Sequence, residues 1–446
     1  MIYKSTGNDC LRTRTFISEK LSKVHIGLQV YSEFDAKNDL KYTQIETIDL
    51  LIYMIQKYKL QPPSEIMFNR VSQFYECIEK CGEVLQSSSI SMCLKYGCQY
   101  NTQQEIESFF SPVSTSKYND YLFKDIRIEG DGVTDIKIRS IPRSVENLQL
   151  DLVRVDSVLL TTTFELKSLH FVAIGGGQDN IEVFCNLLPN SIRNLYLDLS
   201  YCLTDELLID FPINVEQLSF KLNHEIAFPY FDVSTLKNLH CLSLENIDIA
   251  DISYLKFPKS LTRLFLKNAN MDEFTRIDEL KYIEELSIKE GYLNGGFLFR
   301  VEKLKNLREF QYKEVKSDLS STKTIRNDAS IYIPPKLEFL ELKSHHLHIE
   351  SLDFHDSLKF LTLEDVSIEK SKLSLVNAPN LIEASIENTN IKHIQGFENC
   401  TQLEFLKFNG VPVFLYRDIS NLETNKKDYL RMVNRSLELL QLSGIN

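Results

Sequence analysis

Residues 260–271, SLTRLFLKNANM, set Leu261, Leu264 and Leu266 three and two apart. Successive side chains of a strand alternate between faces, so Leu264 and Leu266 share one face and Arg263, Phe265 and Lys267 take the other. The same L-x-x-L-x-L skeleton, aligned on its second apolar residue, returns at Leu148, Leu169, Leu195, Leu218, Leu242, Leu264, Leu286, Phe310, Leu340, Leu361, Ala384, Leu406 and Leu440. Most steps are 21–26 residues. A lone unit of this kind cannot fold. Burying four or five aliphatic side chains yields on the order of 6–15 kcal/mol, whereas fixing about 24 backbones costs roughly 1–2 kcal/mol each. Stacked neighbours supply the missing interface and ladder hydrogen bonds, so recurrence is first a requirement of stability.

Two steps are longer, 30 and 34 residues, and contain KSDLSSTKTIRNDAS and FLYRDISNLETNKKDYLRMVNR, which read as excursions from one repeat. Upstream, KDIRIEG and TDIKIRS around Ile126 and Ile136 read as degenerate, closely spaced units. With units such as NLHCLSLENIDI (Leu239, Leu242, Leu244, Ile249) and SLKFLTLEDVSI (Leu358, Leu361, Leu363, Ile368), the chain from about residue 120 onward resembles the leucine-rich repeat family. The resemblance implies an α/β solenoid: a parallel sheet lining a concave face, with short turns and 3₁₀ segments on the convex side. The family's buried Asn or Cys is replaced here by Val153, Ile247, Ala269, Gly291, Val315, Val366, Thr389 or Val411, so its side-chain ladder is expected to be mostly absent. Pro142, Pro189, Pro212, Pro258 and Pro334 each stand three residues before a unit's first apolar position. Their fixed φ is suited to turning the chain into the strand. IADISYLKFPKS and IKHIQGFENCTQ read as extended or 3₁₀ returns, and FRVEKLKN as a single helical turn.

Before the repeats the period becomes helical, which divides the chain into residues 1–118, a helical module, and 119–446, the repeat domain. TQIETIDLLIYMIQKYKL (43–60), SEIMFNRVSQFYECIEKCGEVLQ (64–86, with Ser64 as N-cap) and QQEIESFF (103–110) read as helices, and SPVSTSKYND (111–120) as a linker. Such a module would close the open end of the repeat core. Pro63, Ser64, Glu65 and Ile66 also resemble the opening of an F-box, which would imply docking to a ubiquitin-ligase scaffold. Pro62 stands where that family has leucine, and the chain has no Trp.

A composition of 43% apolar and 25% charged residues is that of a globular protein. No apolar run reaches the about 18–20 residues of a membrane span, and MIYKSTGNDCLRTRTF carries no apolar signal core. A cytoplasmic or nuclear location is therefore expected, with the nine cysteines as free thiols and the sequons at Asn399 and Asn434 without meaning. The net charge of −12 argues against general binding to nucleic acid or to an anionic membrane.

Cys77, Cys81, Cys93 and Cys98 have spacings near those of zinc ligands, but Cys77 and Cys81 lie one helical turn apart on an apolar face, where cysteine also serves as a small core residue. His345, His346, His348 and His355 cluster in SHHLHIESLDFHD and read as a polar strand exit. GGG at 175–177 lacks the following Lys-Ser/Thr of a phosphate cradle, and no nucleophile elbow or zincin helix is found. The expectation is a non-enzymatic protein with no cofactor and no metal.

The outward strand positions carry the functional reading. The position before the second apolar residue holds Phe339, Phe360, Glu383, Phe405 and Leu439 in the last five units. This predicts an apolar stripe that either meets a partner or is covered by the 414–436 insert. The position after the third apolar residue holds Lys221, Glu245, Lys267, Lys289, Lys313 and Lys343 in units four to nine. Like charges about 5 Å apart in water repel by only about 0.8 kcal/mol, so four consecutive lysines form a tolerated ladder. The partner this face predicts is a protein with an acidic segment, because Glu285, Glu309, Glu290 and Glu314 nearby would discourage a phosphate backbone. The oligomeric state is left open. The thirteenth unit ends just after its strand, so its edge is expected to be paired by the insert, another chain or a second copy.

Overall fold

The computed structural model describes residues 22–26 and 43–414, apart from interruptions at 98–99, 155–157, 159–164, 176–177, 203–208, 224–230, 247, 252–254, 269, 274–279, 291, 294–300, 315–324, 327–329, 346, 370, 392, 397–398 and 409–410. The chain forms two compact units, Met1–Glu216 and Gln217–Asn446.

In the second unit, Gln217–Lys221, Cys241–Glu245, Arg263–Lys267, Glu285–Lys289, Glu309–Lys313, Phe339–Lys343, Phe360–Glu364, Glu383–Glu387 and Phe405–Phe408 pair in parallel, each with the next. The register is the one the spacing dictates: Leu218, Leu242, Leu264, Leu286, Phe310, Leu340, Leu361, Ala384 and Leu406 form one cross-strand column. A slip of one residue would turn every leucine outward, which is what pins the register. Leu264 and Leu266 are 0% and 1% exposed, while Phe265 between them is half-buried and Lys267 exposed. This is a leucine-rich repeat solenoid.

Each strand is entered through a turn closed by an i to i+3 backbone bond. The five prolines accept this bond, from Val145, Ile192, Val215, Leu261 and Leu337, at 3.1–3.2 Å. Most of these strands are left through a residue whose N–H donates to the last carbonyl of the next strand, as Asn246 does to Lys267, Asn268 to Lys289 and Glu290 to Lys313. These three residues sit at φ 60°, 50° and 57°. The left-handed conformation suits Asn better than Glu. The returning chain makes narrow parallel ladders of its own, such as Asp248–Asp251 with Asn270–Glu273 and Lys372–Ser374 with His393–Gln395, as the extended returns predict. Val301–Lys303 is the single 3₁₀ turn expected in FRVEKLKN. After Phe408 the chain reverses, and Val411–Phe414 pairs antiparallel with Phe405–Phe408. The thirteenth repeat at Leu440, and Leu439 with it, lies outside the described residues.

The first unit is also a parallel sheet, in the order Thr43–Ile45, Lys23–Ile26, Glu65–Phe68, Ser89–Lys95, Leu122–Glu129, Asn147–Arg154, Ser168–Ile174 and Asn194–Tyr201. Here several of the returns are helical. Ile48–Tyr58 starts at Thr47, whose hydroxyl accepts from the Leu50 N–H at 3.2 Å, and buries Ile48 and Leu51. Gln103–Phe109 starts with a capping box between Thr102 and Glu105. Val71–Gln86 buries Val71, Phe74, Cys77 and Leu85. Phe74 is the hub of an aromatic cluster, with ring centroids 5.7 Å from Phe68, 5.6 Å from Phe109 and 5.5 Å from Phe123.

Four sequence expectations need correcting in this unit. Residues 1–118 are not purely helical, since strands alternate with the helices and Ser89–Lys95 pairs with Leu122–Glu129. Ser64 precedes the strand Glu65–Phe68, and the helix starts only at Val71. The supposed linker contains the helix Pro112–Lys117, with Ser111 as N-cap and proline in the first turn. Ile136 and Ile138 do not open a repeat: they are buried, and Ile138 makes an isolated bridge to Val158, because ten residues are too few for a complete coil.

Candidate functional site

Alternation along the strands of the second unit sends every other side chain to the solvent face, and the common register lines these up in columns. The structure brings Phe339 and Phe360 together as the opening residues of adjacent strands, half-buried, with ring centroids 6.3 Å apart. Exposed Glu383 follows in register, then half-buried Phe405. Phe405 lies opposite Phe414 of the antiparallel strand, which pairs along the edge of its strand, and residues 415–436 of the insert expected to cover the stripe lie outside the described residues. Upstream the same column holds Glu285 and Glu309, which pair in register. Burial and the neighbouring Glu309 carboxylate raise the pKa of Glu285.

At the other end of these strands Lys267, Lys289, Lys313 and Lys343 stand in register, as the ladder predicts. They are not equivalent. Lys267 bridges to Glu245 at 2.9 Å, which raises its pKa, and Lys343 bridges to Glu341 at 2.8 Å and Glu364 at 3.3 Å, with the same effect. Lys289 and Lys313 make no ion pair within 4.0 Å to any described residue, and both are exposed. The ladder thus has neutralised ends and an open cationic centre. About 13 Å separates it from the Glu285/Glu309 pair, four residues back on the same strands.

Beyond the ladder an open cleft of about 660 Å³ is lined by Lys313, Lys343 and the strand-exit residues Asn268, Glu290, Glu314, Ser344, His345, Glu364 and Asp365. His345 Nε2 lies 3.2 Å from Asp365 Oδ2, and the Ser344 hydroxyl donates to Glu314. His345 is therefore held by a carboxylate, His348 and His355 lie apart from this cleft, and His346 lies outside the described residues.

A short asparagine ladder is present, one residue before the position where leucine-rich repeats carry theirs. Asn246, 7% exposed, donates through Nδ2 to the Leu222 carbonyl at 3.1 Å, and Asn268 Nδ2 donates to Asn246 Oδ1 at 2.9 Å. Val153 and Val366 fill the expected position as buried apolar residues.

Sequence reasoning missed the polar face of the first unit. Lys23 bridges to Glu65 at 2.9 Å, the Ser91 hydroxyl reaches Glu65 at 3.2 Å and Asp125 at 3.3 Å, and Asn147 donates to Asp125 at 2.5 Å. Beside this row Asp151 accepts from Arg127 at 3.2 Å and Gln149 at 2.8 Å and faces His170 at 3.4 Å, while His170 stacks on Tyr196 with centroids 4.1 Å apart. The row sets Lys23 and Arg127 against Glu65, Asp125 and Asp151, so before His170 is counted the carboxylates outnumber the cations by one. The alternation in KDIRIE and NLQLDL would have revealed it once read across strands.

Of the four candidate zinc ligands, Cys77 and Cys81 are in contact and Cys98 lies outside the described residues; no group of three or more His, Cys, Asp or Glu suited to a metal occurs among the described residues. No described helix is long and apolar enough to cross a membrane.

No family model and no curated protein matches the chain. Among solved structures it is similar to the Toll–Spatzle complex, a molecular hub in Drosophila development and innate immunity, at 13% identity and a TM-score of 0.45, covering 78% of this chain and 43% of that one. It is also similar to CroV588, a circular LRR protein structure, at 12% identity and a TM-score of 0.36, covering 81% of this chain and 56% of that one. The chain thus spans about half the length of either structure or less. The fold itself rests on the strand register.

Proposed function

We propose that the protein is a non-enzymatic interaction scaffold that binds a protein partner through the solvent face of the strands in the second unit. The observation that carries this reading is the alignment of half-buried and exposed side chains into runs along two register columns: an acidic pair followed by a phenylalanine pair in one, and in the other Lys289 and Lys313, which make no ion pair among the described residues. Phe339, Phe360 and Phe405 act as apolar anchors, since half-buried aromatics gain most when a partner removes them from water. Lys289 and Lys313, one strand spacing of about 4.8 Å apart, engage carboxylates of an acidic segment; Lys267 and Lys343 flank them but are already neutralised. Glu285 and Glu309 oppose a phosphate backbone laid across the face. Residues 1–118 are proposed to close the sheet at the N-terminal end.

The reading as an F-box-like ligase adaptor is favoured by no observation: Glu65 and Ile66 of the suggestive quartet are buried in a strand. Affinity purification with wild type, Phe360→Glu and Lys289→Glu/Lys313→Glu tests the face. Proteins recovered by wild type should be lost with both variants, and unchanged recovery with both removes this surface from consideration.

A further inference from the structure

Cys77 and Cys81 lie one turn apart on the helix Val71–Gln86, and their sulfurs approach to 3.4 Å. Residues four apart on a regular helix have Cα atoms about 6.2 Å apart, inside the span of about 4.4–6.8 Å that a disulfide bridges. Closing the sulfurs to a bond of about 2.05 Å requires a movement of roughly 1.4 Å. The helix is broken where that movement is needed: Cys81 has φ −154° and ψ 48°, outside the helical region, so the backbone there is not locked into the α-helical ladder.

The two sulfurs are not equivalent. Cys77 is fully buried and Cys81 half-buried. The hydrogen bond to Cys81, with burial, raises the pKa of Cys77, which favours Cys77 as the protonated donor across the 3.4 Å contact. This bond, aided by Lys80, lowers the pKa of Cys81 despite its partial burial. Elsewhere burial works against reactivity, pushing Cys185 and Cys202 up to about 12 and raising Cys241. An accessible sulfur inclined to thiolate beside a protonated one is the arrangement of an attacking and a resolving cysteine.

We propose that Cys77 and Cys81 form a peroxide-oxidised pair, with Cys81 attacked first and Cys77 closing a disulfide across the kink. The Cys81 thiolate attacks one oxygen of hydrogen peroxide, the O–O bond breaks, hydroxide leaves, and Cys81 becomes a sulfenic acid. The Cys77 sulfur then attacks the Cys81 sulfur, the S–O bond breaks, and the departing hydroxide takes the Cys77 proton as water. In sum two thiols and one peroxide give one disulfide and two waters.

The full chain, treated with limiting hydrogen peroxide, unfolded, alkylated and cleaved by trypsin, tests this directly, because cleavage after Lys80 separates the two cysteines and fragmentation of the joined peptides tells Cys81 from Cys93 in the same peptide. The expected product is a pair of peptides joined through Cys77 and Cys81 and released by dithiothreitol, formed about tenfold or more faster than oxidation of Cys185, Cys202 or Cys241. In Cys77→Ala, dimedone should trap a sulfenic acid on Cys81; in Cys81→Ser, Cys77 should stay unmodified. The wild-type peptide map needs neither variant, so a folding defect in one leaves the test intact. Oxidation of Cys81 no faster than that of Cys241, a sulfinic acid without the crosslink, or a crosslink to another cysteine would overturn the assignment.

Discussion

Asn246 shows how much of a repeat's exit turn depends on one side chain. It holds a left-handed backbone at φ 60°, donates to the Leu222 carbonyl behind it and accepts from Asn268 ahead of it. Alanine would keep none of these bonds and would be strained at that φ; glycine would lose the bonds but fit the backbone. Asn246→Ala should therefore cost about 1–3 kcal/mol in urea unfolding, and Asn246→Gly less. Glu285 presents the opposite case. Its folded pKa is raised by burial and Glu309, with Arg263 and Lys289 only partly compensating. The penalty is absent below the unfolded carboxylate value of about 4.3 and grows as pH rises through the folded one. Glu285→Gln should thus stabilise the protein at neutral pH by about 0.2–1 kcal/mol, the scale of a cross-strand like-charge pair. Melting temperatures measured across pH should show that gain shrinking toward pH 4, and a gain independent of pH would show that the carboxylates do not interact.

At the scale of elements, closeness of backbones limits what a turn accepts. Gly396 sits at φ +80°, and a Cβ there would lie 2.4 Å from the Val376 nitrogen and 2.6 Å from its Cα. Relief would require parting the ladder Lys372–Ser374/His393–Gln395, so Gly396→Ala should cost more than about 2 kcal/mol by denaturant titration. Strands with strict alternation were legible in the sequence, because the spacing at Leu264 and Leu266 has one reading whatever the neighbours do. Glu65–Phe68 was not, since Glu65 is buried against Lys23 and Ser91 and EIMF shows no alternation. The helix Pro112–Lys117 was hidden by its Ser, Thr and Pro content, although Ser111 as N-cap followed by proline is itself a starting signal. The closing strand Val411–Phe414 was missed because apolar residues flanking Asn409 and Gly410 read as one more repeat turn, and direction is not encoded in alternation.

Across the whole second unit, the period alone located the lysine ladder and the phenylalanine column, because register converts a spacing of residues into a neighbourhood in space. It could not show which lysines are spent. Lys267 and Lys343 are claimed by carboxylates on adjacent strands or two residues away on the same one, while Lys289 and Lys313 face other lysines in register. On a chain of net charge −12 these two form a local cationic patch within a repelling field, which is what the proposed acidic partner would meet. Charge and apolar anchors should then separate kinetically. Lys289→Glu/Lys313→Glu should slow association with the partner by about tenfold at low salt, and the difference from wild type should fade as ionic strength shortens the screening length below about 8 Å. Phe360→Glu should leave association nearly unchanged and hasten dissociation, because a buried ring is engaged only after docking. Surface plasmon resonance at several salt concentrations distinguishes the two; a lysine variant whose association rate matches wild type at low salt would move the acidic contact away from this ladder.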